Sequence, residues 1–246
     1  MNFKIDVLCK AFPGKSTIGA LGWSNVALIR MKDRNILFDT GSQGIRPNLL
    51  KALEELSMKP DQIDSVFLSH LHFDHCGNAS LFRNARFIIS EAEWKYATTE
   101  EDVFTTEESV KYLSDREKII ISRDGDEIYP GVKAIFTPGH TPGGMSLVLE
   151  ADNETWIIAG DAVKNRIELL KGEVDMSLDN EQSRQSILRI KNIADRVLPG
   201  HDCWMKIKDN KIIPQEKVQV DITLPGGIQG GEDGVFKLAV ENRPLF

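Results

Sequence analysis

Short apolar segments, separated by polar or glycine-rich turns, run through most of the chain. Segments of this length, with alternating or continuous hydrophobicity, are typical of β-strands. Two pairs of neighbouring segments are joined by short polar turns, and each pair predicts a β-hairpin. The predicted strands are residues 3–9, 26–31, 36–38, 64–69, 86–90, 132–137, 146–150, 155–159 and 196–198.

Two other segments repeat apolar residues at helical spacing. Pro47 suits the first turn of a helix, and Leu49, Leu50, Leu53 and Leu56 follow it at helical spacing. Residues 180–194 form the second predicted helix, with an acidic start and basic later turns that match the helix dipole. This mixture of strands and helices predicts a layered α/β or α+β fold.

The length of the chain, 246 residues, fits one large domain or two small ones. We expect a single domain over residues 1–246, with its core at about 3–207 and a loose, glycine-rich C-terminal segment at about 225–246. Residues 91–117 differ in composition from the rest of the chain, because they are acidic and helix-favouring and contain several aromatic side chains.

Charge and composition indicate which classes of binding partner the chain favours. The formal net charge of −7 disfavours, but does not eliminate, nucleic acid as a partner. No apolar run approaches the roughly 20 residues of a membrane helix, and the charged start does not fit a signal peptide. We therefore expect a soluble, cytoplasmic protein with no membrane partner. Cys9, Cys76 and Cys203 make no disulfide framework, and we expect reduced structural thiols.

All five histidines of the chain lie at or near the ends of predicted strands, beside glycine, aspartate or one another. Neutral imidazole and carboxylate are ligands of zinc and related ions. Surface or capping histidines are the alternative, but that interpretation must account for all five at once. The candidate metal ligands are His70, His72, Asp74, His75, His140, Asp161 and His201.

The spacing within the first cluster favours two metal ions. Side chains two apart on an extended segment point the same way, so His70 and His72 can bind one ion. Asp74 and His75 follow one turn later and can face a second ion nearby. One further histidine for each ion would complete two sets of three, and Asp161, with its two oxygens, could bridge them.

The motif His70-x-His72-x-Asp74-His75 and the three single ligands after it resemble the metallo-β-lactamase superfamily in residue type and order, over about residues 3–207. The resemblance implies a four-layer αββα sandwich with two divalent metal ions at the edge between its sheets. We expect zinc, with iron and manganese as alternatives. By analogy, metal one is held by His70, His72 and His140, metal two by Asp74, His75 and His201, and both by Asp161.

Two further residues take roles from the same resemblance. Asp39 falls in the Asp-Thr-Gly position of the family and is expected to orient the ligand loop rather than bind metal, a strand-end cap being the alternative. Lys164 stands where N-acyl homoserine lactonases carry a tyrosine that positions the substrate carbonyl. We name Lys164 a candidate substrate-binding residue that could polarise an oxygen or hold an anionic group. A solvent-facing lysine is the alternative.

The resemblance leaves several branches of the superfamily open. Residues 69–75 are similar to N-acyl homoserine lactonases, whereas residues 153–207 resemble metallo-β-lactamase-domain-containing group 1 proteins, a group linked to RNA 3′-end processing. We expect a metal-dependent hydrolase of a small-molecule ester or lactone. A ribonuclease or phosphodiesterase and a glyoxalase II-like thioesterase are the alternatives, and a non-catalytic metal-binding protein is a weaker one. Homodimers are common among lactonase-like relatives, so a homodimer is a further expectation.

The ligand pattern also predicts a mechanism, in which the two metals share a hydroxide that attacks the substrate. Asp74 would orient this hydroxide and pass its proton to the leaving group. Residues 12–23 and the aromatic side chains of 94–112 are expected to wall the substrate site, with packing onto the core as the alternative.

Overall fold

The computed structural model of the chain describes residues 3–17, 19–174, 176–223 and 235–239. The strands, in chain order, are β1 (Phe3–Cys9), β2 (Lys15–Ser16), β3 (Gly19–Ala20), β4 (Val26–Met31), β5 (Asn35–Phe38), β6 (Ser65–Phe67), β7 (Arg86–Ser90), β8 (Lys118–Ile121), β9 (Glu127–Tyr129), β10 (Val132–Phe136), β11 (Met145–Ala151), β12 (Glu154–Gly160), β13 (Arg196–Pro199), β14 (Met205–Lys208), β15 (Lys211–Pro214), β16 (Gln219–Thr223) and β17 (Val235–Ala239). The helices are α1 (Arg46–Glu55), α2 (Phe73–Cys76), α3 (Glu91–Thr99), α4 (Glu107–Ser114), α5 (Arg166–Lys171) and α6 (Asn180–Ile193), with 3-10 turns at Gln43–Ile45, Pro60–Gln62 and Ala79–Leu81.

Two large sheets form the centre of the molecule. The first has the order β1-β4-β5-β6-β7-β8, antiparallel from β1 to β5 and parallel from β5 to β8. The second has the order β15-β14-β13-β12-β11-β10-β9, and only its β12–β13 pair is parallel. The parallel strands read as short apolar runs because both of their faces are covered.

Three apolar clusters separate four layers. The middle cluster joins the facing sides of the two sheets, with Phe38 and Phe67 of one sheet against Leu147 and Ile158 of the other. An outer cluster packs α1, α3 and α4 onto the first sheet, and another packs α5 and α6 onto the second. The layers therefore run helix, sheet, sheet, helix, which confirms the αββα sandwich that the sequence implies.

Side-chain caps fix where four of the helices begin. Hydrogen bonds from backbone N–H groups in the first turns of α3, α4, α5 and α6 are accepted by the side chains of Ser90, Thr106, Asn165 and Asp179. Such caps satisfy N–H groups that have no partner within the helix. Ser90 is also the last residue of β7, so the chain passes from buried strand to helix without a loop.

Most predicted elements are confirmed, with differences at their ends. The strand expected at 64–69 covers only Ser65–Phe67, because the backbone turns away toward the histidine cluster. The glycine-rich segment after β1 contains the small β2–β3 ladder. Residues 91–117 form two helices, separated by residues 100–106.

The C-terminal part of the chain contains elements that the sequence pattern did not predict. Strands β14 and β15 extend the second sheet, and β16 pairs with β17 in a separate ladder. The predicted loose segment at 225–246 lies outside the described residues except for Val235–Ala239, which form β17. No helix in the described ranges is long and apolar enough to cross a membrane.

Candidate metal centre

The seven predicted ligands come from four segments that end at one edge of the sandwich. His70 and His72 follow β6, and Asp74 and His75 lie on the short helix α2 directly after them. The remaining ligands belong to the second sheet: His140 lies between β10 and β11, Asp161 follows β12, and His201 follows β13. The structure brings all seven together, although they span more than half of the chain.

The ligand atoms form three overlapping groups of three, each within 4.8 Å, and the group of His70, His75 and Asp161 joins the other two. The first trio is His70, His72 and His140, and the second trio is Asp74, His75 and His201. Asp161 lies between them. Its Oδ1 is 3.2 and 3.3 Å from Nε2 atoms of the two histidines in the second trio, and its Oδ2 is 3.3 Å from His140 Nε2 in the first.

The outer ring nitrogen of each histidine contacts an oxygen atom. His70 Nδ1 contacts Ser69 Oγ at 3.0 Å, His72 Nε2 contacts Asp102 at 2.9 Å, His75 Nδ1 contacts Asp39 at 2.7 Å, His140 Nδ1 contacts the Met176 carbonyl at 3.0 Å, and His201 Nδ1 contacts the Trp23 carbonyl at 3.1 Å. Carboxylates and carbonyls only accept hydrogen bonds, so the nitrogens facing them carry the proton. The inner nitrogens then turn their lone pairs toward the centre of the site.

The polar atoms at this centre fit a bound cation. Among the described residues, His70 Nε2, His75 Nε2 and Asp161 Oδ1 are buried without a hydrogen-bond partner. Lone pairs that converge around a carboxylate repel one another unless a proton or a cation lies between them. Imidazole nitrogen and carboxylate oxygen are suitable donors for zinc, iron and manganese. The residues of both trios therefore fit a divalent metal ion.

The two trios differ in how their histidines hold protons. Burial lowers the pKa of His70 well below its usual range and lowers that of His140 to about 3. Burial acts in the same direction on His75, but the carboxylates of Asp161, Asp74 and Asp39 outweigh it and raise its pKa well above the usual range. The pKa of His201 is also raised, because the carboxylates of Asp161 and Asp74 outweigh its burial. A proton on the second trio thus competes with a metal ion, whereas the lowered pKa values keep the rings of the first trio neutral.

Asp39 holds one of the predicted ligands, His75, and the neighbouring residue Ser69 by hydrogen bonds. Its Oδ1 accepts the Ser69 N–H at 2.7 Å, and its Oδ2 accepts both Ser69 Oγ at 2.8 Å and His75 Nδ1 at 2.7 Å. The backbone of Asp39 has a φ of 54°, a left-handed conformation that aspartate tolerates better than most residues. The structure places this carboxylate on a ligand and on the loop before it, in the position expected for an orienting residue.

A cavity of about 600 Å³ opens onto both trios. It is lined by the segment after β1, including Phe12 and Pro13, and by Tyr96 and residues 101–104. Trp94 and Tyr112 instead pack onto the core of the first sheet. The prediction that the aromatic residues of 94–112 wall the site is therefore confirmed for some of them and wrong for these two.

Comparison with known proteins decides the family. The sequence model of the metallo-beta-lactamase superfamily matches residues 21–201. The chain belongs to the metallo-beta-lactamase superfamily.

Relatives within this superfamily are similar over most of the chain. It is 32% identical to an N-acyl homoserine lactonase of Bacillus cereus over 173 residues, which are 68% of this chain and 66% of the lactonase. It is 28% identical to metallo-beta-lactamase domain-containing protein 1 of Xenopus laevis, over 74% of this chain and 72% of that protein. The chain thus spans just under two thirds of the Bacillus lactonase that it matches.

The fold agrees with that of solved structures. An N-acyl homoserine lactone hydrolase, solved with the product N-hexanoyl-L-homoserine at its catalytic metal centre, superimposes with a TM-score of 0.65 and 23% identity. The alignment covers 81% of this chain and 92% of that one. At this identity the likeness concerns the fold.

Glu93 is a buried residue of this superfamily site that the sequence pattern did not reveal. Its side chain accepts the Leu71 N–H at 2.9 Å and the Thr141 hydroxyl at 2.7 Å, so it ties the loop of the first two histidines to the loop of His140. Burial raises the pKa of Glu93 to about 7. Glu93 lies in the acidic segment 91–117, where it looks in sequence like one more surface carboxylate.

Arg166 and Asp202 form a second support that the sequence did not predict. Both are buried, and Arg166 donates two side-chain hydrogen bonds to the Asp202 carboxylate at 2.6 and 2.7 Å. Asn25 donates to the carbonyls of Pro199 and Asp202 at 2.7 and 2.6 Å. These bonds fix the backbone on either side of His201. Asp102, beside His72, is a third residue that the sequence did not indicate.

Lys164 lies at the cavity, as expected for a substrate-binding residue, whereas the cysteines near the site lie in the interior. Lys164 lines the cavity, its side chain is 15% exposed, and its Nζ is 3.0 Å from Glu168 Oε1. Cys76 and Cys203 are buried and donate to backbone carbonyls, and burial raises the pKa of Cys76 to about 12. Among the described residues, the groups that could hold a metal contain no cysteine.

Proposed function

We propose that this chain is a dinuclear metal-dependent hydrolase that cleaves a small-molecule ester or lactone. The observation that carries the proposal is the pair of trios on either side of Asp161, with one carboxylate oxygen facing each trio. Two divalent ions, with zinc as our expectation, supply a nucleophilic water of pKa near 7 and polarise the carbonyl oxygen when they are bound. Membership of a hydrolase superfamily supports this proposal.

Asp74 is the residue that we assign to proton transfer. Its Oδ2 lies 3.4 Å from His201 Nε2, and its side chain also lines the cavity. A carboxylate that contacts the ligands on one side and the substrate space on the other can take the proton of the attacking water and return it to the leaving group. The carboxylate would thus act both as a ligand and as a general base.

Lys164 is the residue that we assign to the substrate oxygen. The ion pair with Glu168 holds its ammonium group beside the cavity instead of in bulk solvent. A buried cation there would attract the carbonyl oxygen, or an anionic group next to the scissile bond, as negative charge develops during attack. Lysine occupies the position of a lactonase tyrosine, so we expect the preferred lactone to differ from that of the relatives.

The cavity wall favours a small apolar molecule over nucleic acid. Its volume lies in the usual range for small-molecule sites. Phe12, Phe73 and Phe104 contribute apolar surface. The described basic residues of the lining are Lys15 and Lys164, whereas the acidic ones include Glu101, Asp102 and Glu168. A phosphodiester backbone requires a basic surface, so the ribonuclease alternative has less support.

Metal content and a substrate panel test the proposal together. Protein purified without chelator should contain two divalent ions per chain, measured by elemental analysis. It should hydrolyse lactones or esters faster than thioesters and phosphodiesters of similar size. Asp74→Asn should lower turnover by about 10²- to 10⁴-fold, because the amide cannot take a proton.

A matched variant and two outcomes make this test decisive. Asp115→Asn removes the same charge from the exposed end of α4 and should leave turnover unchanged. Near-normal turnover of Asp74→Asn would remove Asp74 from proton transfer. One iron per chain with no hydrolysis, or a clear preference for phosphodiesters, would reject the ester or lactone hydrolase.

The single domain, the cytoplasmic location and the homodimer stay predictions from the sequence.

A further inference from the structure

The carboxylate of Asp102 is buried against the first trio by a loop that lies far from it in sequence. Asp102 belongs to residues 100–106, between α3 and α4, and its side chain is 8% exposed. Its Oδ2 is 2.9 Å from His72 Nε2 and accepts the Tyr96 hydroxyl at 3.2 Å. Its Oδ1 accepts the Phe104 N–H at 2.9 Å. Three donors thus converge on this one carboxylate.

This arrangement decides which nitrogen His72 presents to a metal. An ionised carboxylate only accepts, so the hydrogen of the neutral His72 ring is held on Nε2. The free lone pair is then on Nδ1, which faces the site at 3.1 Å from His140 Nε2. The ring nitrogen that binds a metal is commonly set by the hydrogen bond made by the other nitrogen.

The same loop also forms part of the cavity wall. The Phe73 N–H donates to the Phe104 carbonyl at 2.8 Å, and the Phe104 ring lies 5.4 Å from the ring of His72. Val103 and Phe104 line the cavity, and these residues are 91% and 39% exposed. The segment that would contact a substrate is therefore bonded directly to a metal ligand.

We infer that Asp102 is a positioning residue for the first trio, which holds His72 as an Nδ1 ligand and links metal retention there to the cavity wall. The inference rests on the proposed pair of metal positions. Tyr96 keeps the carboxylate in place from the side of α3. Loss of the carboxylate would free the His72 ring to change its tautomer and to rotate out of the trio.

Zinc affinity and the tautomer of His72 test this inference without any measurement of activity. Asp102→Asn keeps the shape of the side chain but removes its charge and one acceptor. It should weaken zinc binding at the first trio 10- to 100-fold in competition with a chelator. In metal-free wild-type protein at a pH of about 8, nitrogen-15 NMR of the ring should show His72 protonated on Nε2.

Two control variants separate positioning from general effects. Glu100→Gln removes a neighbouring exposed charge and should leave zinc affinity unchanged. Tyr96→Phe keeps the carboxylate and should cause a smaller loss than Asp102→Asn. The inference is overturned if Asp102→Asn binds zinc as tightly as wild type, or if wild-type His72 carries its proton on Nδ1. The NMR result needs no variant and no metal, so it stands even if the proposed hydrolase activity fails.

Discussion

The two trios of the site are supported in different ways. In the second trio, His75 donates to Asp39, and both side chains are at most 1% exposed. Asp39 directly follows the buried strand β5, so the core of the sandwich fixes its position. In the first trio, His72 donates to Asp102, which lies on a loop between two surface helices. One carboxylate belongs to the core and the other to the substrate wall.

The different positions of the two carboxylates have different consequences for the rigidity of the two trios. A carboxylate that is fully removed from water is costly unless its hydrogen bonds are satisfied, so the fold around Asp39 must be rigid. A carboxylate on a loop can keep its bond to the ligand while the loop adjusts to a substrate. We therefore expect the second trio to depend on the integrity of the fold and the first trio to depend on the loop.

The largest expected difference between the trios is the pH dependence of their metal affinity. The pKa values of His75 and His201 are raised, so these rings keep a proton to a higher pH than the rings of the first trio, and a bound metal must displace it. The pKa values of His70 and His140 are lowered, and their rings are already unprotonated. Lowering the pH from about 8 to 6 should weaken the second position about tenfold per pH unit for each proton displaced. The first position should change little.

Zinc titrations at several pH values, in two buffers of different ionisation enthalpy, measure both the affinity and the protons released. Proton release should accompany binding at the second trio only. The comparison fails if both positions lose affinity in parallel as the pH falls, or if proton release accompanies both.

Asp39→Asn should have the next largest effect, on the free energy of unfolding. The amide cannot accept all three donors that now meet the carboxylate, and its NH₂ group would face one of them. Breaking a buried, charged contact of this kind costs about 3 kcal/mol. Asp102→Asn, in contrast, should cost about 1 kcal/mol or less. Urea unfolding of the two metal-free variants measures the difference, and equal losses would remove the distinction between core and loop support.

The parts of the site that could be predicted from the sequence are those that adjoin strand ends. The predicted ligands follow short apolar runs, and three of the chain's five histidines lie within one six-residue stretch. Asp39 could be named because it ends a hairpin strand in a familiar tripeptide. The layered fold followed from the same runs, since strands that are covered on both faces lack polar positions. The bond from Asp39 to His75 confirms that local pattern and tertiary contact agree here.

The supporting residues could not be predicted because their partners are remote in sequence. Asp102 contacts a histidine 30 positions away, and Glu93 contacts a threonine 48 positions away. Both lie in an acidic, helix-favouring segment, where a carboxylate ordinarily remains in solvent. Tertiary contacts turn the two side chains inward: Glu93, on α3, contacts Leu71 and Thr141, and Asp102, on the 100–106 segment, contacts His72. The last two strands of the second sheet, β14 and the edge strand β15, were missed because their mixed lysine and isoleucine pattern has no clear apolar run.

The last expected effect, that of Glu93→Gln on the free energy of unfolding, depends on pH. Burial raises the pKa of Glu93 from about 4.5 to about 7 in the folded protein. The folded state therefore holds this proton more tightly than the unfolded state, and stability from this group is lost as the pH rises from about 4.5 to 7. The loss amounts to at most about 3 kcal/mol. Glutamine does not titrate, so the stability of wild type relative to Glu93→Gln should fall over this pH range and stay constant above it.

Urea unfolding at a pH of about 5 and about 8 measures the change. Glu91→Gln is the control, because Glu91 is an exposed acid in the same helical turn. A difference that is the same at both pH values would mean that Glu93 is already ionised at the lower pH, with the hydrogen bonds to Leu71 and Thr141 outweighing the cost of its burial.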